Sequence, residues 1–274
     1  MASRQSRMAW PAAMDLDRYL MRIGYAGPRE PGQQALRQLH RAHLFSVPFE
    51  NLSIHWGEPI VLDEVAHYWK IVESRRGGFC YEQNALFAWA LRSMGYRVKL
   101  LAASVWSALN PAPGYGPEFS HLLLKVTLQD TWIADVGFGD GFLNPLMLRV
   151  GFEQVEGPRA FRIDQDGELF TLLMRRLDGK WIERYRFNLQ SRDISEFAEM
   201  CQFHQSSPKS PFTQRRICSL ARPDGRITLA GDEWIESQLD GTEVRRPVDD
   251  EDEARQLLME QFGIMSPLSS LDRC

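Results

Sequence analysis

Paired cysteines are missing from this sequence. Its 274 residues include four cysteines, and none of them forms a Cys-x-x-Cys pair. This pattern argues against a structural zinc site and against a disulfide framework. We therefore expect reduced thiols and a cytoplasmic location. Three of the thiols we interpret as structural or incidental, namely Cys201, Cys218 and Cys274.

Three further features are scarce or absent, and each excludes a class of protein. The net charge of −4 leaves no basic excess, which argues against a nucleic-acid partner. No apolar run reaches the length of a membrane span. The N-terminal segment MASRQSRMAWPAAMDLDRYL carries two early arginines but lacks the apolar stretch of a secretory signal.

The composition is that of an ordinary globular protein. Hydrophobic residues make up 44% of the chain and charged residues 25%, which supplies enough apolar side chains for a sizeable core. The length exceeds one minimal domain and suits two or three small ones.

Helices are expected in the first third of the chain, where apolar residues recur every three or four positions. Asp15 can cap a helix that ends at Gly24, and a second helix covers about 33–45. A third starts after Asp63, and a fourth follows Cys80.

Strands are expected next, at 97–104, 121–128, 131–136, 168–177 and 181–187. The last third mixes a hairpin over 217–231, turning at Pro223-Asp224-Gly225, with a closing helix over 249–262. We interpret the acidic start of that helix, DDEDE, as solvated. Helices followed by strands and then by a mixed region favour an α+β fold over alternating βαβ units.

The segment RRGGFCYEQN carries the strongest chemical signal. Gly77-Gly78 lets the backbone take conformations that other residues avoid, and Cys80 then falls in the first turn of a helix. The unpaired N–H groups and the positive dipole end there favour a thiolate, and they would stabilise the oxyanion formed when sulfur attacks a carbonyl. Cys80 is therefore a candidate nucleophile, although a small buried residue at a helix start would give the same local pattern.

His121 and Asp135 are candidate partners for this cysteine. His121 opens the strand HLLLKV as a possible general base, and Asp135 lies in the apolar run WIADVGFG, where a buried acid needs a partner. A simple hairpin, however, places Asp135 opposite Lys125, roughly 13 Å from His121. The strands must shear, bulge or diverge to bring the pair together. The alternatives are a surface histidine or a hydrogen-bonded core histidine at 121, and a turn-flanking aspartate at 135.

His40 and His43 are three positions apart on the expected second helix, a spacing that also suits metal ligands. No carboxylate or thiol lies at a suitable spacing beside them. We therefore interpret both as solvated helix surface and expect no metal site. His55 and His67 receive no role.

Four segments resemble hallmark segments of the arylamine N-acetyltransferase family. They are VPFENL at 47–52, RGGFCYEQN at 76–84, HLLLKV at 121–126 and DVGFG at 135–139, and they occur in the family's order. Weaker likeness in YLMRIG near the start and in HQSSPKSPFTQRRICSL near Ser206 extends the resemblance from about residue 15 to about residue 235.

The resemblance implies an α+β protein with a papain-like (cysteine proteinase-like) superfold in three parts. We expect an N-terminal helical bundle that carries the catalytic cysteine at 1–95, a central β-barrel that carries the histidine and aspartate at 96–205, and a C-terminal α/β lid at 206–274. Cys80, His121 and Asp135 would be the catalytic triad of an enzyme that needs no metal.

The implied activity is ping-pong acetyl transfer, with acetyl-CoA as co-substrate and no permanently bound cofactor. Cys80 takes the acetyl group as a thioester, and the nitrogen of an arylamine, arylhydrazine or related amine then takes it from the enzyme. These small molecules are the expected partners, with neither nucleic acid nor membrane, and the protein would be a monomer or a homodimer.

Further site residues follow by position in the family's motifs. The resemblance assigns substrate contacts to Phe49, Val105, Ser120 and Phe138, and supporting roles to Glu50, Asn51, Arg76, Gly137 and Gly139. For the apolar residues among them, an ordinary place in the core is the alternative. We expect Arg76 to hold the loop before Cys80 through a charge-assisted hydrogen bond; the alternative is a surface pair worth less than about 1 kcal/mol.

Two features depart from the family's pattern. Ser120 stands where bacterial relatives often have threonine, and the preceding NPAPGYGPEF is unlike the usual approach to the catalytic histidine.

The C-terminal region is also poor in phosphate-binding signals, so no contact with the nucleotide part of CoA is assigned.

Other functions would use the same three residues. A papain-like or transglutaminase-like thiol hydrolase would pass the acyl group to water or act on a glutamine amide, and the PFENL and DVGFG segments argue against it. An amide synthase of the same family, which closes a macrolactam on a polyketide chain, would need a larger acyl pocket. A catalytically inactive binding or scaffold domain would have no need of an intact Cys, His and Asp set.

Overall fold

The computed structural model describes residues 13–108 and 113–267. Helices dominate as far as residue 93, strands run from 97 to 187 with loops between them, and both occur after that. This order confirms the expected α+β class. Part of the NPAPGYGPEF segment and Cys274 lie outside the described residues.

The helices and strands of the described ranges have the following bounds. The α-helices are α1 (Leu16–Arg22), α2 (Gln33–Ser46), α3 (Leu52–His55), α4 (Glu64–Tyr68), α5 (Cys80–Ser93), α6 (Ala198–Ser206), α7 (Pro211–Gln214) and α8 (Glu251–Phe262). The strands are β1 (Phe49–Glu50), β2 (Arg97–Ser107), β3 (Gly114–Tyr115), β4 (His121–Thr127), β5 (Thr131–Ala134), β6 (Leu146–Met147), β7 (Gln154–Glu156), β8 (Arg159–Asp166), β9 (Leu169–Arg175), β10 (Trp181–Phe187), β11 (Ile217–Arg222), β12 (Gly225–Ala230), β13 (Glu233–Gln238) and β14 (Glu243–Pro247).

The first helices begin where the sequence predicts. The side chains of Asp15 and Asp63 accept backbone N–H hydrogen bonds and so cap α1 and α4. Helix α4 then continues into one wide π-helical turn, Trp69–Glu73, instead of remaining α-helical. This turn brings Nζ of Lys70 to 2.8 Å from the carboxylate of Glu82 on α5.

Helix α5 lies at the centre of the helical part and is buried on nearly all sides. Its apolar residues share one core with α1, α2 and the helix-facing side of β2 and β4. The chain leaves the helix through Gly95, whose φ of 87° is a conformation that glycine adopts at little cost. Cys80, the first residue of α5, is therefore positioned in the interior, where the helices meet the sheet.

The larger sheet of the described residues has nine antiparallel strands. Their order is β6-β5-β4-β2-β10-β9-β8-β7, with β3 paired to β2, and the sheet curls around a second apolar core into a nearly closed barrel. Along β4, Leu122 and Leu124 face the helices, whereas Leu123 faces the barrel interior. Because both faces of β4 are covered, its sequence is almost continuously apolar.

The smaller sheet, in the order β1-β11-β12-β13-β14, contains the predicted hairpin over 217–231. Helix α8 packs on it, starts from the cap Asp250 and presents its acidic first turn to solvent, which confirms the closing helix. Strand β1 comes from the VPFENL segment, and its Phe49 and Glu50 pair with β11. The division of the chain at 95 and 205 stays a prediction.

Among the described residues, the helices all fall short of the length and hydrophobicity that a membrane span requires.

Candidate active site

The β4–β5 hairpin places Asp135 beside His121. Its register pairs Leu124 with Ala134, so Asp135 comes level with Leu123 rather than with Lys125. The expected separation of roughly 13 Å is therefore wrong. Nε2–H of His121 donates to Oδ2 of Asp135 over 2.7 Å, and this leaves Nδ1 as the ring nitrogen free for another proton.

Asn84 joins this pair to the helix that carries Cys80. Its Nδ2 donates to the carbonyl of Leu122 over 2.7 Å and to Oδ1 of Asp135 over 2.9 Å, and its Oδ1 accepts from N–H of Val136. Asn84 lies four residues after Cys80 and so on the same face of α5. Asn84 lies within RGGFCYEQN and was assigned no role from the sequence, although its i, i+4 spacing from Cys80 indicates a place beside the nucleophile.

Gly137 allows the loop after β5 to pack directly on the cysteine. A Cβ atom at this position would lie 2.7 Å from Cα of Cys80 and 2.7 Å from Nδ2 of Asn84, closer than real Cβ atoms come. Any side chain here would push the loop, and Asp135 with it, away from α5.

The sulfur of Cys80 is buried, and burial raises the pKa of its thiol. Hydrogen bonds from backbone N–H groups of Leu122 and Tyr81 lower that pKa, whereas the charge of Asp135 raises it further. Burial of the sulfur therefore opposes the thiolate, whereas the N–H of Tyr81 in the first turn of α5 favours it, and the thiolate character of Cys80 stays a prediction. A positive charge on His121 is the compensation that the surroundings of the sulfur offer.

Asp135 is anionic despite its burial. Burial raises the pKa of this carboxyl group, but His121, Asn84 and the N–H of Gly137 together hold the pKa below its ordinary value. A buried carboxylate with this many donors is well placed to keep the imidazole of His121 in one tautomer and one orientation.

His40 and His43 are fully buried, so their interpretation as solvated helix surface is wrong. Nε2 of His40 accepts from the backbone N–H of Asp135 over 3.1 Å, and its Nδ1–H donates to the carbonyl of Leu143 over 2.9 Å. Its ring also stacks on Phe142 with centroids 5.6 Å apart. Spacing on α2 did not reveal this, because the partners lie about a hundred residues further along the chain.

His43 belongs to the support of the loop before Cys80. Its ring nitrogens contact the Tyr19 hydroxyl at 2.8 Å and Oε1 of Gln83 at 3.2 Å. The Nε2 of Gln83 in turn donates to the carbonyl of Gly78 over 2.6 Å. The amide of Gln83 thus links α2 to the Gly-Gly segment.

Arg76 makes the charge-assisted hydrogen bond that the sequence predicts, and the pair is buried rather than on the surface. Its Nε donates to Oε1 of Glu50 over 3.1 Å, and its guanidinium lies over the ring of Trp56 at 4.3 Å. Burial raises the pKa of Glu50, but Lys70 and Arg76 bring it below its ordinary value. These contacts tie β1 to the segment that precedes Cys80.

Asn51 connects β1 to the C-terminal part of the chain. Its Nδ2 donates to the carbonyls of Phe212 and Arg215 over 2.9 Å each, and its Oδ1 accepts from N–H of Ile217 over 2.7 Å. The PFENL segment is therefore hydrogen-bonded on both sides, to the cysteine loop and to β11.

Of the four predicted substrate-contact residues, Phe138 packs its ring against that of the histidine. Its ring centroid is 5.1 Å from that of His121 and 5.1 Å from that of Tyr185, an aromatic neighbour that the sequence analysis missed. Phe138 also lines a cavity of 530 Å³ together with Trp106 and Arg184.

The other three residues lie on two sides of this centre. Oγ of Ser120, next to His121, accepts from N–H of Val105 over 3.2 Å. Phe49 lies beside Gly139, where an added Cβ would be 3.7 Å from Cγ of the ring. Gly139 has a φ of 83°, which favours glycine.

The described residues contain free thiols but no cluster of metal ligands. Cys80, Cys201 and Cys218 are buried and free. Within 13–108 and 113–267, no group of three or more His, Cys, Asp or Glu residues is arranged to hold a metal ion.

The sequence and the fold are similar to those of known N-acetyltransferases. A family model described as N-acetyltransferase matches residues 33–269. The chain is 38% identical over 277 residues to a chicken (Gallus gallus) arylamine N-acetyltransferase, the pineal gland isozyme NAT-3, covering 92% of this chain and 94% of that protein. It is 34% identical to human arylamine N-acetyltransferase 1, over 80% and 81% of the two chains.

The chain belongs to the arylamine N-acetyltransferase family.

Solved structures of arylamine N-acetyltransferases agree with this assignment. The M. tuberculosis protein has a TM-score of 0.85 at 31% identity, covering 91% of this chain and 94% of its own. The Salmonella typhimurium protein has a TM-score of 0.85 at 32% identity, with 93% of both chains covered. A Mycobacterium marinum arylamine N-acetyltransferase in complex with CoA has a TM-score of 0.83 at 31% identity, over 91% and 93%.

The membership confirms two expectations drawn from the sequence. The fold is the papain-like fold of arylamine N-acetyltransferases, and the protein is an acyltransferase. The family is an acetyltransferase family in which a structure with CoA is known, which fits CoA thioesters as the donor class.

Proposed function

We propose that Cys80, His121 and Asp135 are the catalytic triad of a ping-pong acetyltransferase that uses acetyl-CoA. The observation that carries this proposal is the 2.7 Å hydrogen bond from His121 to Asp135, joined through Asn84 to the helix that begins at Cys80. A scaffold protein would gain nothing from burying these three groups together.

In the first half-reaction, Nδ1 of His121 takes the thiol proton and the sulfur of Cys80 attacks the carbonyl carbon of the acetyl thioester. A carbon–sulfur bond forms to Cys80 and the bond to the CoA sulfur breaks. The departing CoA thiolate then takes the proton from His121. The ion pair of thiolate and imidazolium offsets the effect of burial on the thiol, and Asp135 stabilises the charged imidazole.

In the second half-reaction, the nitrogen of an amine or hydrazine attacks the acetyl thioester on Cys80. His121 accepts the proton that the nitrogen loses as the carbon–nitrogen bond forms and the carbon–sulfur bond to Cys80 breaks. Arylamines suit this step because they are weakly basic, so their lone pair is available at neutral pH. The N–H groups at the start of α5 would stabilise the oxyanion in both halves.

The acceptor is proposed to lie against Phe138, with Phe49, Val105 and Ser120 as further contacts. The position of Phe138 between His121 and the 530 Å³ cavity supports this arrangement. Glu50 and Arg76 support the loop before Cys80, Asn51 ties β1 to β11, Gly137 lets the loop after β5 pack on α5, and Gly139 lies beside Phe49.

A cytoplasmic location and the three-part division at 95 and 205 belong to the same proposal. The free thiols of Cys80, Cys201 and Cys218 support a reducing compartment. We propose no metal and no permanently bound cofactor.

The test is the intact mass of the protein after incubation with acetyl-CoA alone, followed by addition of an arylamine or arylhydrazine. One acetyl group should appear on Cys80 and disappear when the amine is added. An unchanged mass with rapid iodoacetamide labelling of Cys80 would point instead to another acyl donor, as an amide synthase or a thiol hydrolase would use.

A further inference from the structure

Three arginines surround a single carboxylate in the loop that follows the triad aspartate. NH1 of Arg159 lies 2.7 Å from Oδ1 of Asp140, Nε of Arg226 lies 3.8 Å from the same oxygen, and NH2 of Arg184 donates to the Asp140 carbonyl over 2.8 Å. We call Arg159, Arg184 and Arg226 the arginine cluster.

The arginine cluster carries an excess of positive charge. Asp140 balances one guanidinium of the three. Glu156 lies nearby, but its carboxylate oxygens accept from N–H of Leu143 and Asn144 and from the Asn144 side chain. Glu156 keeps its negative charge, so Asp140 and Glu156 together leave a net excess of one guanidinium charge in the arginine cluster.

Two N–H groups of the arginine cluster are buried without a hydrogen-bond acceptor among the described residues. The Nε atoms of Arg184 and Arg226 have no hydrogen-bond acceptor among the residues that the structure describes. Buried N–H groups without acceptors are uncommon in folded proteins and call for an explanation, such as a bound ion. Burial also lowers the pKa of both side chains, and the neighbouring arginines lower it further.

A β-bulge on β10 directs the side chain of Arg184 towards Asp140. On β10, Glu183 and Tyr185 pair with the successive residues Leu173 and Leu172 of β9, so Arg184 is the extra residue of a β-bulge. Bulges redirect a side chain and are frequent beside active sites. The guanidinium of Arg184 lies over the ring of Phe138 at 5.0 Å, which links the arginine cluster to the triad.

A cavity of 310 Å³ adjoins the arginine cluster. It is lined by Arg159, Arg226 and Asp140, and Arg41 of α2 adds a further cation. Its walls come from α2, from the barrel and from the β11–β12 turn, so all three parts of the sequence meet there. The Asp140 side chain is 45% exposed and the Arg226 side chain 12% exposed, and both line this cavity.

We propose that this cavity is a binding site for an oxyanion, a phosphate or carboxylate group, held by Arg159 and Arg226 in the excess positive field of the arginine cluster. Planar guanidinium groups match the oxygens of such anions with two parallel hydrogen bonds, and a phosphate would supply acceptors where the cluster lacks them. The anion has three possible sources, which are free phosphate, a phosphate of CoA and an acidic substituent on the amine.

The test is calorimetric titration of the protein with inorganic phosphate at constant ionic strength. The wild type should bind phosphate. Arg226→Gln should weaken the binding at least about tenfold, because one charged guanidinium with two parallel N–H donors is lost. Asp140→Asn should act in the opposite direction and tighten the binding severalfold, because it removes the competing carboxylate. Arg245→Gln, an arginine on β14 outside the cavity, is the matched control and should bind like the wild type.

Equal phosphate affinity in the wild type and in Arg226→Gln would overturn the proposal, as would weaker binding by Asp140→Asn. Arg226→Lys retains the positive charge but not the parallel N–H groups of a guanidinium, so it should bind phosphate with intermediate affinity. This second variant keeps the test decisive if Arg226→Gln folds poorly. The titration needs no turnover, so its outcome is independent of the proposed acetyl transfer.

The source of the anion is then found by comparing ligands in Arg226→Gln. Weaker binding of CoA but not of dephospho-CoA would assign the site to the 3′-phosphate. A higher KM for 4-aminobenzoate but not for aniline would assign it to the amine, an arm that rests on the proposed function. Loss of phosphate binding with neither change would assign it to a free anion. Each of these three results supports the site.

Discussion

Asp135 and Asp140 lie five residues apart in the loop after β5, but their surroundings differ in charge balance. Asp135 meets one histidine and neutral donors, and each of its carboxylate oxygens accepts a hydrogen bond. Asp140 meets three arginines, two of which retain an N–H without a partner among the described residues. A saturated network holds one geometry, whereas an unsaturated one can accept a ligand.

Replacing the nucleophile Cys80 has the largest expected effect, and it tests the region around Asp135, where the hydrogen-bonding groups are paired. Cys80→Ser should lower kcat by about 10⁴-fold or more, because a hydroxyl is far less acidic than a thiol and His121 cannot ionise it in the same way. Steady-state transfer from acetyl-CoA to an arylamine is the measurement. Cys218→Ser, at a buried thiol on β11, should keep near-normal kcat wherever it folds. Near-normal turnover by Cys80→Ser would remove this residue from the mechanism.

The charge of Asp135 comes next. Asp135→Asn should lower kcat by about 10³-fold, because the imidazolium of His121 loses its charged partner and its preferred tautomer. Rates should be measured beside thermal unfolding, so that a loss of fold is not mistaken for a loss of chemistry. Asp164→Asn, at an exposed ion pair with Arg162, serves as the control. A well-folded Asn variant with wild-type activity would contradict the proposed role of Asp135.

Acid should destabilise the folded protein through its buried histidines. Burial lowers the pKa of His43 to about 3 and the pKa of three others to about 4, namely His40, His67 and His204. Between those values and 6.5 the unfolded chain binds more protons than the folded protein. The stability is therefore complete above pH 6.5 and falls as the pH falls, by about 1.4 kcal/mol per pH unit for each histidine.

Chemical unfolding at a series of pH values between 7 and 5 measures this slope. His67→Phe removes one buried histidine and should reduce the slope by about 1 kcal/mol per pH unit averaged over this range, because the unfolded-state histidine is only partly protonated near its ordinary pKa. An unfolding free energy that stays constant over this range would show that the buried histidines are not neutral in the folded state.

The smallest expected effect concerns the contact from α2 to the triad. His40→Phe should lower kcat by about tenfold, because the backbone N–H of Asp135 loses its acceptor and the carboxylate becomes less firmly placed. His67→Phe is a matched control, since His67 is equally buried but bonds to Val61 rather than to the triad. It should lose stability without losing kcat. Equal kcat in the two variants would reduce His40 to a purely structural residue.

Much of the candidate site could be predicted from the sequence, because the informative segments are short and local. Cys80 at a helix start after Gly-Gly and the caps Asp15 and Asp63 each depend on a few neighbouring residues. Asn84 was also within reach, one helical turn from Cys80. A charge-assisted hydrogen bond from Arg76 was anticipated, and the structure adds its partner, Glu50, and its burial.

Other features depended on contacts between distant parts of the chain. The position of His40 on α2 predicted a solvated side chain, yet its hydrogen-bond partners Leu143 and Asp135 are about a hundred residues further along the chain. The burial of the Cys80 sulfur is a further feature of this kind, since the dipole of a helix is local whereas burial depends on tertiary packing.

By itself the sequence determined the kind of chemistry, because the residue types and the order of the four hallmark segments are properties of the chain alone. The tertiary structure decided the geometry. A strand register with no local sequence signal brings Asp135 level with Leu123, and a single bulged residue on β10 turns Arg184 towards Asp140. Side-chain direction in a sheet alternates with every residue, so small shifts in pairing settle which charges meet.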